Sequence, residues 1–230
     1  MHLLFRKCKI CPSLTGISSL FLSLKLLKLM PRKILIRTNQ FTYHITLRSN
    51  NKDWFELPLS IMWKLCKQSI AKAQASYPTN IEAFVLMANH YHLLIWTPNS
   101  DIDKFMYVLN SSISKEIRIR TKRINRIFGD RYKWTLVDHE RYYLQVLRYI
   151  YQNPVKAQVT STCHDYPFST LRYIYLNEDF EAPIYNCNEA RKLLLEGFFE
   201  RDLHKREIIA KALQRSRFNY PKRSSSRRAI

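Results

Sequence analysis

Two histidines separated by a single residue are the side chains whose type and spacing most directly suggest chemistry. His90 and His92 flank Tyr91 in an apolar segment typical of a β-strand, where residues two apart share a face. Both imidazoles therefore project together, and two convergent imidazoles form part of a site for a divalent cation. The alternative is a pair that is only hydrogen-bonded to neighbouring groups. Leu93 and Leu94 follow, so the metallo-hydrolase pattern His-x-His-x-Asp-His is absent.

A tyrosine and an asparagine further along the chain supply a second possible reacting group and ligand. A helix is predicted from Asp138, as its N-cap, to Asn153, where Pro154 ends it. Tyr149 and Asn153 lie one turn apart on one face of this helix. A tyrosine hydroxyl can act as a nucleophile, and an amide oxygen is a suitable ligand for Mg²⁺ or Mn²⁺. Spacing alone leaves core packing open as the role of Tyr149.

The elements that must position these residues alternate between strands and helices. Periodicity predicts strands over 41–48, 81–88, 90–96 and 132–137, and helices over 59–77, 101–123, 138–153, 188–199 and 206–213. The order β-α-β-β-α-β-α indicates an α+β fold, a ferredoxin-like two-layer sandwich whose antiparallel sheet carries the His-x-His strand. Asp101 is expected to cap the second helix. His44 and Arg48 fall on the polar face of the first strand, which makes His44 a second candidate metal ligand.

Charge and glycine content narrow the class of partner. The 230 residues contain 38 Lys and Arg against 18 Asp and Glu, so the formal charge is +20. Such an excess favours a polyanion as partner. The three glycines, Gly16, Gly129 and Gly197, are far apart, which excludes a phosphate-binding glycine loop and a dinucleotide fingerprint. We therefore expect no nucleotide cofactor.

Basic residues crowd the end of the second predicted helix, the loop after it and the approach to the last strand. The candidates for binding nucleic acid are Arg48, Lys115, Arg118, Lys122, Arg123, Arg126, Arg131 and Lys133. The predicted strands also contain three aromatic residues that could stack on unpaired bases, Trp96, Tyr132 and Trp134. A tryptophan in a strand is as often a core residue.

Composition divides the chain into three parts. Residues 1–30 form a basic and apolar extension, with a native start possible near Met30. Its uncharged run is too short to cross a membrane, and no cleavage site follows, so neither export nor membrane insertion is expected. Residues 31–180 carry the strand and helix pattern of the catalytic domain. Residues 181–230 are predicted to hold C-terminal helices and a flexible basic tail.

Several segments together resemble one family. They are 43–50, 87–94, 128–133, 147–157 and 165–169, in that order along the chain. The combination is similar to the single-tyrosine HUH transposases, and most closely to the REP-associated tyrosine transposases, over roughly 31–176. Ala88 stands where the family often has proline, and Tyr91 is less apolar than the usual middle residue. Tyr173 lies in a near copy of the Tyr149 segment, but Pro-Val-Lys-Ala does not follow it, so Tyr149 is the preferred nucleophile.

The resemblance implies a mechanism. His90, His92 and Asn153 would hold one Mg²⁺ or Mn²⁺, and Tyr149 would attack a phosphate of single-stranded or hairpin DNA to give a 5′-phosphotyrosine. The protein would act as a monomer or homodimer in the bacterial cytosol, at the nucleoid. The alternative is a catalytically inactive module on the same fold, which would bind DNA or RNA hairpins without metal.

Overall fold

An antiparallel four-stranded sheet lies at the centre of the fold. The computed structural model describes residues 34–201 and 206–219. The strands, hydrogen-bonded in the order β2-β3-β1-β4, are β1 Thr42–Arg48, β2 Asn80–Leu86, β3 His90–Trp96 and β4 Lys133–Val137. The predicted α+β fold with the His-x-His strand inside an antiparallel sheet is confirmed. The expectations for residues 1–30 and for the end of the basic tail fall outside the described residues.

Seven helices are present in the described ranges, besides a 3-10 turn at Asn50–Lys52. They are α1 Leu59–Ser76, α2 Ile102–Thr121, α3 Glu140–Tyr151, α4 Asn153–Lys156, α5 Thr170–Leu176, α6 Cys187–Leu195 and α7 Arg206–Ala212. All of them belong to one compact unit, which begins at Ile36. In this described part of the chain, none is both long and apolar enough to cross a membrane.

One face of the sheet is covered by α1 and α2. Trp63 of α1 stacks on Phe84 of β2 with ring centroids 5.4 Å apart. The Tyr91 hydroxyl donates to Asn110 Oδ1 of α2 at 2.6 Å. Because side chains alternate along a strand, Tyr91 points away from the two histidines beside it. The middle residue of the His-x-His segment is therefore part of the core.

The opposite face is covered by α3 and the C-terminal segments. Val146, Leu147 and Ile150 of α3 belong to one buried cluster with Ala83 and Val85 of β2. The C-terminal segments contribute further members of this cluster, which are Leu193, Phe199, Ile209 and Phe218. The face that alternation had suggested to be polar is thus enclosed, and His44 is only 2% exposed.

The predicted N-cap of the third helix, Asp138, was wrong, because a tertiary contact engages its side chain. The N-cap of α3 is His139, whose Nδ1 accepts a hydrogen bond from a backbone N–H of the first turn. Asp138 instead accepts from Arg217 at 3.1 Å. Asp101 stands at the N-cap of α2 but makes no capping hydrogen bond. Helix α3 ends at Tyr151, two residues before the predicted Asn153, and Pro154 lies in the first turn of α4, where no N–H is needed.

Candidate active site

A tight turn before β3 positions the two histidines. The Met87 backbone N–H donates to the His90 carbonyl at 2.8 Å. The loop after β1 packs on this turn, and the Ser49 N–H donates to the Asn89 carbonyl at 2.8 Å. His90 and His92 then project from the same face of β3 with ring centroids 5.1 Å apart. The local sequence thus brings the two imidazoles together, as their spacing predicts.

Each of these histidines has its Nδ1 atom engaged. His90 Nδ1 lies 2.7 Å from Asn89 Oδ1, while Asn89 Nδ2 donates to the Lys52 carbonyl at 2.7 Å. A carbonyl can only accept, so this second bond fixes the amide with its oxygen toward His90. His92 Nδ1 lies 3.0 Å from His44 Nε2 of the neighbouring strand, and the two rings are stacked.

Burial keeps all three imidazoles neutral. It lowers the pKa of His44 to about 3 and that of His90 to about 4, and the nearby Arg48 adds to the second shift. Burial also lowers the pKa of His92 well below its ordinary value, with further contributions from His44, His90, Arg206 and Arg48. Neutral imidazole is the form that binds a metal ion.

Tyr149 extends from α3 toward the histidines. Its ring centroid lies 5.9 Å from that of His92 and 6.3 Å from that of His44, edge to face in both cases. Within the described ranges, no hydrogen bond to its hydroxyl is found. Burial raises the pKa of Tyr149, and the charges of Arg206 and Arg48 oppose the shift. The hydroxyl is therefore protonated at neutral pH.

Tyr173, in the near copy of the Tyr149 segment, and Tyr142 of α3 lie elsewhere. The Tyr173 hydroxyl accepts a hydrogen bond from Trp63 Nε1 at 2.9 Å, in the layer of helix α1. The Tyr142 ring packs against Phe218 with centroids 5.0 Å apart. Neither residue lines the cleft that contains the histidines.

Asn153 begins α4, one turn beyond Tyr149. Its Nδ2 donates to the Tyr149 carbonyl at 2.9 Å and to the Ile150 carbonyl at 3.2 Å. Its Oδ1 accepts from Arg206 Nη2 at 2.7 Å, and the same guanidinium lies over the Tyr149 ring, 4.4 Å from the centroid. Arg206 comes from α7, and no motif in the sequence pointed to it.

The donor atoms fit a divalent cation at the two histidines. His90 can present its Nε2 atom as a ligand, and His92 can do so in the tautomer that donates from Nδ1. The Asn153 oxygen accepts one hydrogen bond from Arg206 and keeps a second lone pair, but the guanidinium charge beside it opposes a cation there. No group of three His, Cys, Asp or Glu that could hold a metal ion occurs among residues 34–201 and 206–219. Further oxygen ligands would therefore come from Asn153, from water or from a substrate.

A cleft of about 890 Å³ opens over Tyr149 and the histidines. Three of the predicted nucleic-acid-binding residues line it, namely Arg48, Arg131 and Lys133. Lys52 and Lys156 also line it, and the sequence had not singled them out because each stands apart from the charge-rich segment. All five side chains are exposed. We call the cleft lined by these five residues the basic cleft.

The remaining predicted basic residues do not line the cleft. Lys115, Arg118, Lys122 and Arg126 are exposed on α2 or in the loop after it. Arg123 forms an ion pair with Glu56 at 2.9 Å. The structure thus divides the basic residues into a set at the cleft and a set on a separate surface.

Two of the three aromatic residues expected to stack on bases, Trp134 and Trp96, make contacts within the protein. Trp134 is only 6% exposed and belongs to the core. Trp96 Nε1 donates to the Asn39 carbonyl at 2.8 Å. Trp54, in the loop that follows β1, is 77% exposed, and the sequence analysis had not considered it.

Comparison with known proteins identifies the family. The family model described as "Transposase IS200 like" matches residues 37–153. A REP-associated tyrosine transposase of Escherichia coli (strain K12) is 26% identical over 142 residues, which is 60% of this chain and 80% of that protein. A solved structure of a REP-associated tyrosine transposase bound to a REP hairpin has the same fold, with a TM-score of 0.54 at 20% identity over 67% of this chain and 92% of the other. The chain therefore belongs to the IS200-like transposase family, as its resemblance to the REP-associated tyrosine transposases implied.

Proposed function

We propose that this chain is a metal-dependent single-stranded DNA endonuclease and strand transferase that acts through a 5′-phosphotyrosine intermediate. The observation that carries the proposal is the position of Tyr149, whose ring lies 5.9 Å from that of His92 beside the basic cleft. A nucleophile, a pair of metal-binding imidazoles and exposed cations thus meet at one place.

Tyr149 would act as the nucleophile. Its hydroxyl oxygen would form a bond to phosphorus as the bond from phosphorus to the 3′ oxygen breaks, and the phenolic proton would pass to that oxygen as the 3′ hydroxyl is formed. One phosphodiester replaces another, so the reaction is close to thermoneutral and needs no nucleotide cofactor. Rejoining is the reverse attack by a different 3′ hydroxyl.

His90 and His92 would hold one Mg²⁺ or Mn²⁺, and Asn153 would add an oxygen ligand beside Arg206. When bound, the ion would polarise the scissile phosphate. Asn89 and Lys52 would keep His90 in position, because their hydrogen bonds fix the orientation of its ring. Arg48 and Arg206 would offset negative charge beside Tyr149.

Hairpin DNA with single-stranded flanks is the substrate we propose. The solved relative is bound to a REP hairpin, and the basic cleft offers five exposed cations for phosphates. Because Tyr149 and the histidines come together within one chain, a monomer would suffice for cleavage. The protein would act in the bacterial cytosol, where its DNA is found.

An adduct assay on the full chain tests the proposal. The protein is incubated with labelled single-stranded oligonucleotides that span the hairpins flanking its own gene, with Mn²⁺ or with EDTA, and run on a denaturing gel. A covalent band is expected with Mn²⁺ that is absent with EDTA and absent in Tyr149→Phe. Tyr173→Phe is the matched control, and it should retain the band because Tyr173 lies outside the cleft.

Two outcomes would overturn the proposal. A band that survives Tyr149→Phe would place the nucleophile elsewhere. Absence of any band, together with tight hairpin binding that is unchanged by EDTA, would favour the hairpin-binding module without catalysis.

A further inference from the structure

His44 has no role in the proposed reaction, yet it is buried in contact with a metal-binding histidine. Its ring stacks on that of His92 with centroids 5.3 Å apart, and its Nε2 lies 3.0 Å from His92 Nδ1. The two residues belong to adjacent strands, β1 and β3. A buried imidazole pair at this distance shares one proton in a hydrogen bond.

The shared proton can be carried by His92 Nδ1 or by His44 Nε2, and its position determines whether His92 can bind a metal ion. If His92 Nδ1 carries it and donates to His44, the His92 Nε2 atom has a free lone pair. If His44 Nε2 carries it, the only lone pair of His92 is used inside the pair, and its Nε2 carries a hydrogen that prevents metal binding. The tautomer of His92 therefore decides whether it can be a ligand.

His90 provides an internal comparison. Its Nδ1 faces Asn89 Oδ1 at 2.7 Å, and that oxygen can only accept. His90 must therefore donate from Nδ1 and keep a lone pair on Nε2. A second-layer acceptor that binds the N–H of a ligating histidine in this way fixes both the tautomer and the ring orientation.

We propose that His44 is a positioning residue that accepts the Nδ1 hydrogen of His92 and so keeps Nε2 of His92 available for a divalent cation, without binding the cation itself. The inference rests on the proposed function for the identity of the metal-binding pair. His44 would then act on His92 as Asn89 acts on His90, by accepting the hydrogen on Nδ1.

Three variants separate this role from others. His44→Gln keeps a side-chain oxygen that can accept, whereas His44→Phe keeps a planar ring but no acceptor. Ile45→Val is the control for a general weakening of β1, because Ile45 is a buried neighbour on the opposite face of that strand. Thermal unfolding of every variant checks that the chain remains folded.

The first measurement is made on the metal-free full chain with ¹⁵N-labelled histidine. Long-range ¹H–¹⁵N spectra distinguish the two tautomers, and we expect a hydrogen on Nδ1 of His92 in the wild type and in His44→Gln. In His44→Phe the population with a hydrogen on Nε2 should rise. A wild-type spectrum with His92 protonated on Nε2 would overturn the proposal.

The second measurement is Mn²⁺ affinity without DNA, followed by electron paramagnetic resonance. His44→Phe should weaken binding about 10- to 100-fold, whereas His44→Gln and Ile45→Val should stay close to wild type. Equal losses of Mn²⁺ affinity in His44→Gln and His44→Phe would indicate that His44 is itself a ligand. No loss of affinity in His44→Phe would show that His44 has no part in metal binding. Tyr149→Phe should leave Mn²⁺ affinity unchanged, because this measurement uses no DNA. Failure of the proposed strand transfer can therefore be distinguished from failure of the role proposed for His44.

Discussion

Among single residues, Arg206 and Asn153 form the contact with the most direct consequence for metal binding. The guanidinium donates to Asn153 Oδ1 at 2.7 Å, and its charge opposes a cation at that oxygen. We expect Arg206→Met to bind Mn²⁺ about tenfold more tightly, because a charged hydrogen bond of about 1.5–3 kcal/mol no longer competes. Titration of the DNA-free protein with Mn²⁺ measures the change.

The dependence on Asn153 supplies the control for this prediction. If the gain arises from the released oxygen, it should disappear when Arg206→Met is made in an Asn153→Ala chain. A gain of the same size in both backgrounds would show that Arg206 acts only through its charge, and the proposed ligation by Asn153 would lose its support.

Glu82 gives a second prediction for a single residue, this time for stability. It is 6% exposed, and burial raises its pKa to about 7, although the Thr42 hydroxyl donates to it at 3.1 Å. Between pH 4.5 and 7 the folded chain keeps a proton that the unfolded chain has lost, so the stability of the fold falls as pH rises. Glu82→Gln should therefore stabilise the protein at pH 8 by about 3 kcal/mol.

Urea unfolding at pH 5 and pH 8 tests that sign. The difference between Glu82→Gln and wild type should be small at pH 5 and large at pH 8. A difference that is equal at both pH values would mean that the carboxyl group is not held in its protonated form.

At the level of elements, β3 shows what the sequence could predict. Its bounds, 90–96, match the predicted strand, because alternation and the flanking turn are local properties. The side-by-side placement of His90 and His92 follows from the same local geometry. The position of Tyr91 on the opposite face of the strand follows from it as well.

Two contacts within the site, His44 with His92 and Arg206 with Asn153, could not be predicted in the same way. His44 and His92 are 48 residues apart, and Arg206 reaches Asn153 from 53 residues away. Strand register and the return of α7 determine both contacts, and neither leaves a local pattern. The basic cleft has the same origin, since Lys52 and Lys156 approach Arg131 only in the folded chain.

The junction between α3 and α4 carries an element-level prediction. Pro154 has no N–H to offer the Ile150 carbonyl, and Asn153 Nδ2 donates there instead, as well as to the Tyr149 carbonyl. We expect Asn153→Ala to lose about 2–4 kcal/mol of unfolding free energy, since three hydrogen bonds are removed, the two to these carbonyls and the one from Arg206. Urea denaturation measures the loss.

A double variant checks the cause of that loss. In Asn153→Ala with Pro154→Ala, a new backbone N–H becomes available to the Ile150 carbonyl. The two changes should then be non-additive by more than about 0.5 kcal/mol, with the double variant more stable than the sum predicts. Strict additivity would argue against the capping role of the Asn153 side chain.

For the whole molecule, the formal charge of +20 favours nucleic acid as a partner but does not say where a strand would lie. The basic residues fall into two sets, one at the basic cleft and one on and after α2. Only the first set surrounds Tyr149. A strand positioned for attack must therefore follow the basic cleft, whereas the α2 set could at most bind a flanking part of a hairpin.

The salt dependence of hairpin binding distinguishes these two paths. We expect the double variant Arg131→Gln, Lys133→Gln to make the fall of log affinity with log salt less steep by about 1.5, because two phosphate contacts are lost. The charge-matched pair Lys115→Gln with Arg118→Gln should change that slope by less than about 0.5. Fluorescence anisotropy at four salt concentrations, with the same labelled hairpin, provides the values. A larger change for the α2 pair would place the bound strand away from Tyr149, and a single chain could not then cleave the strand that it binds.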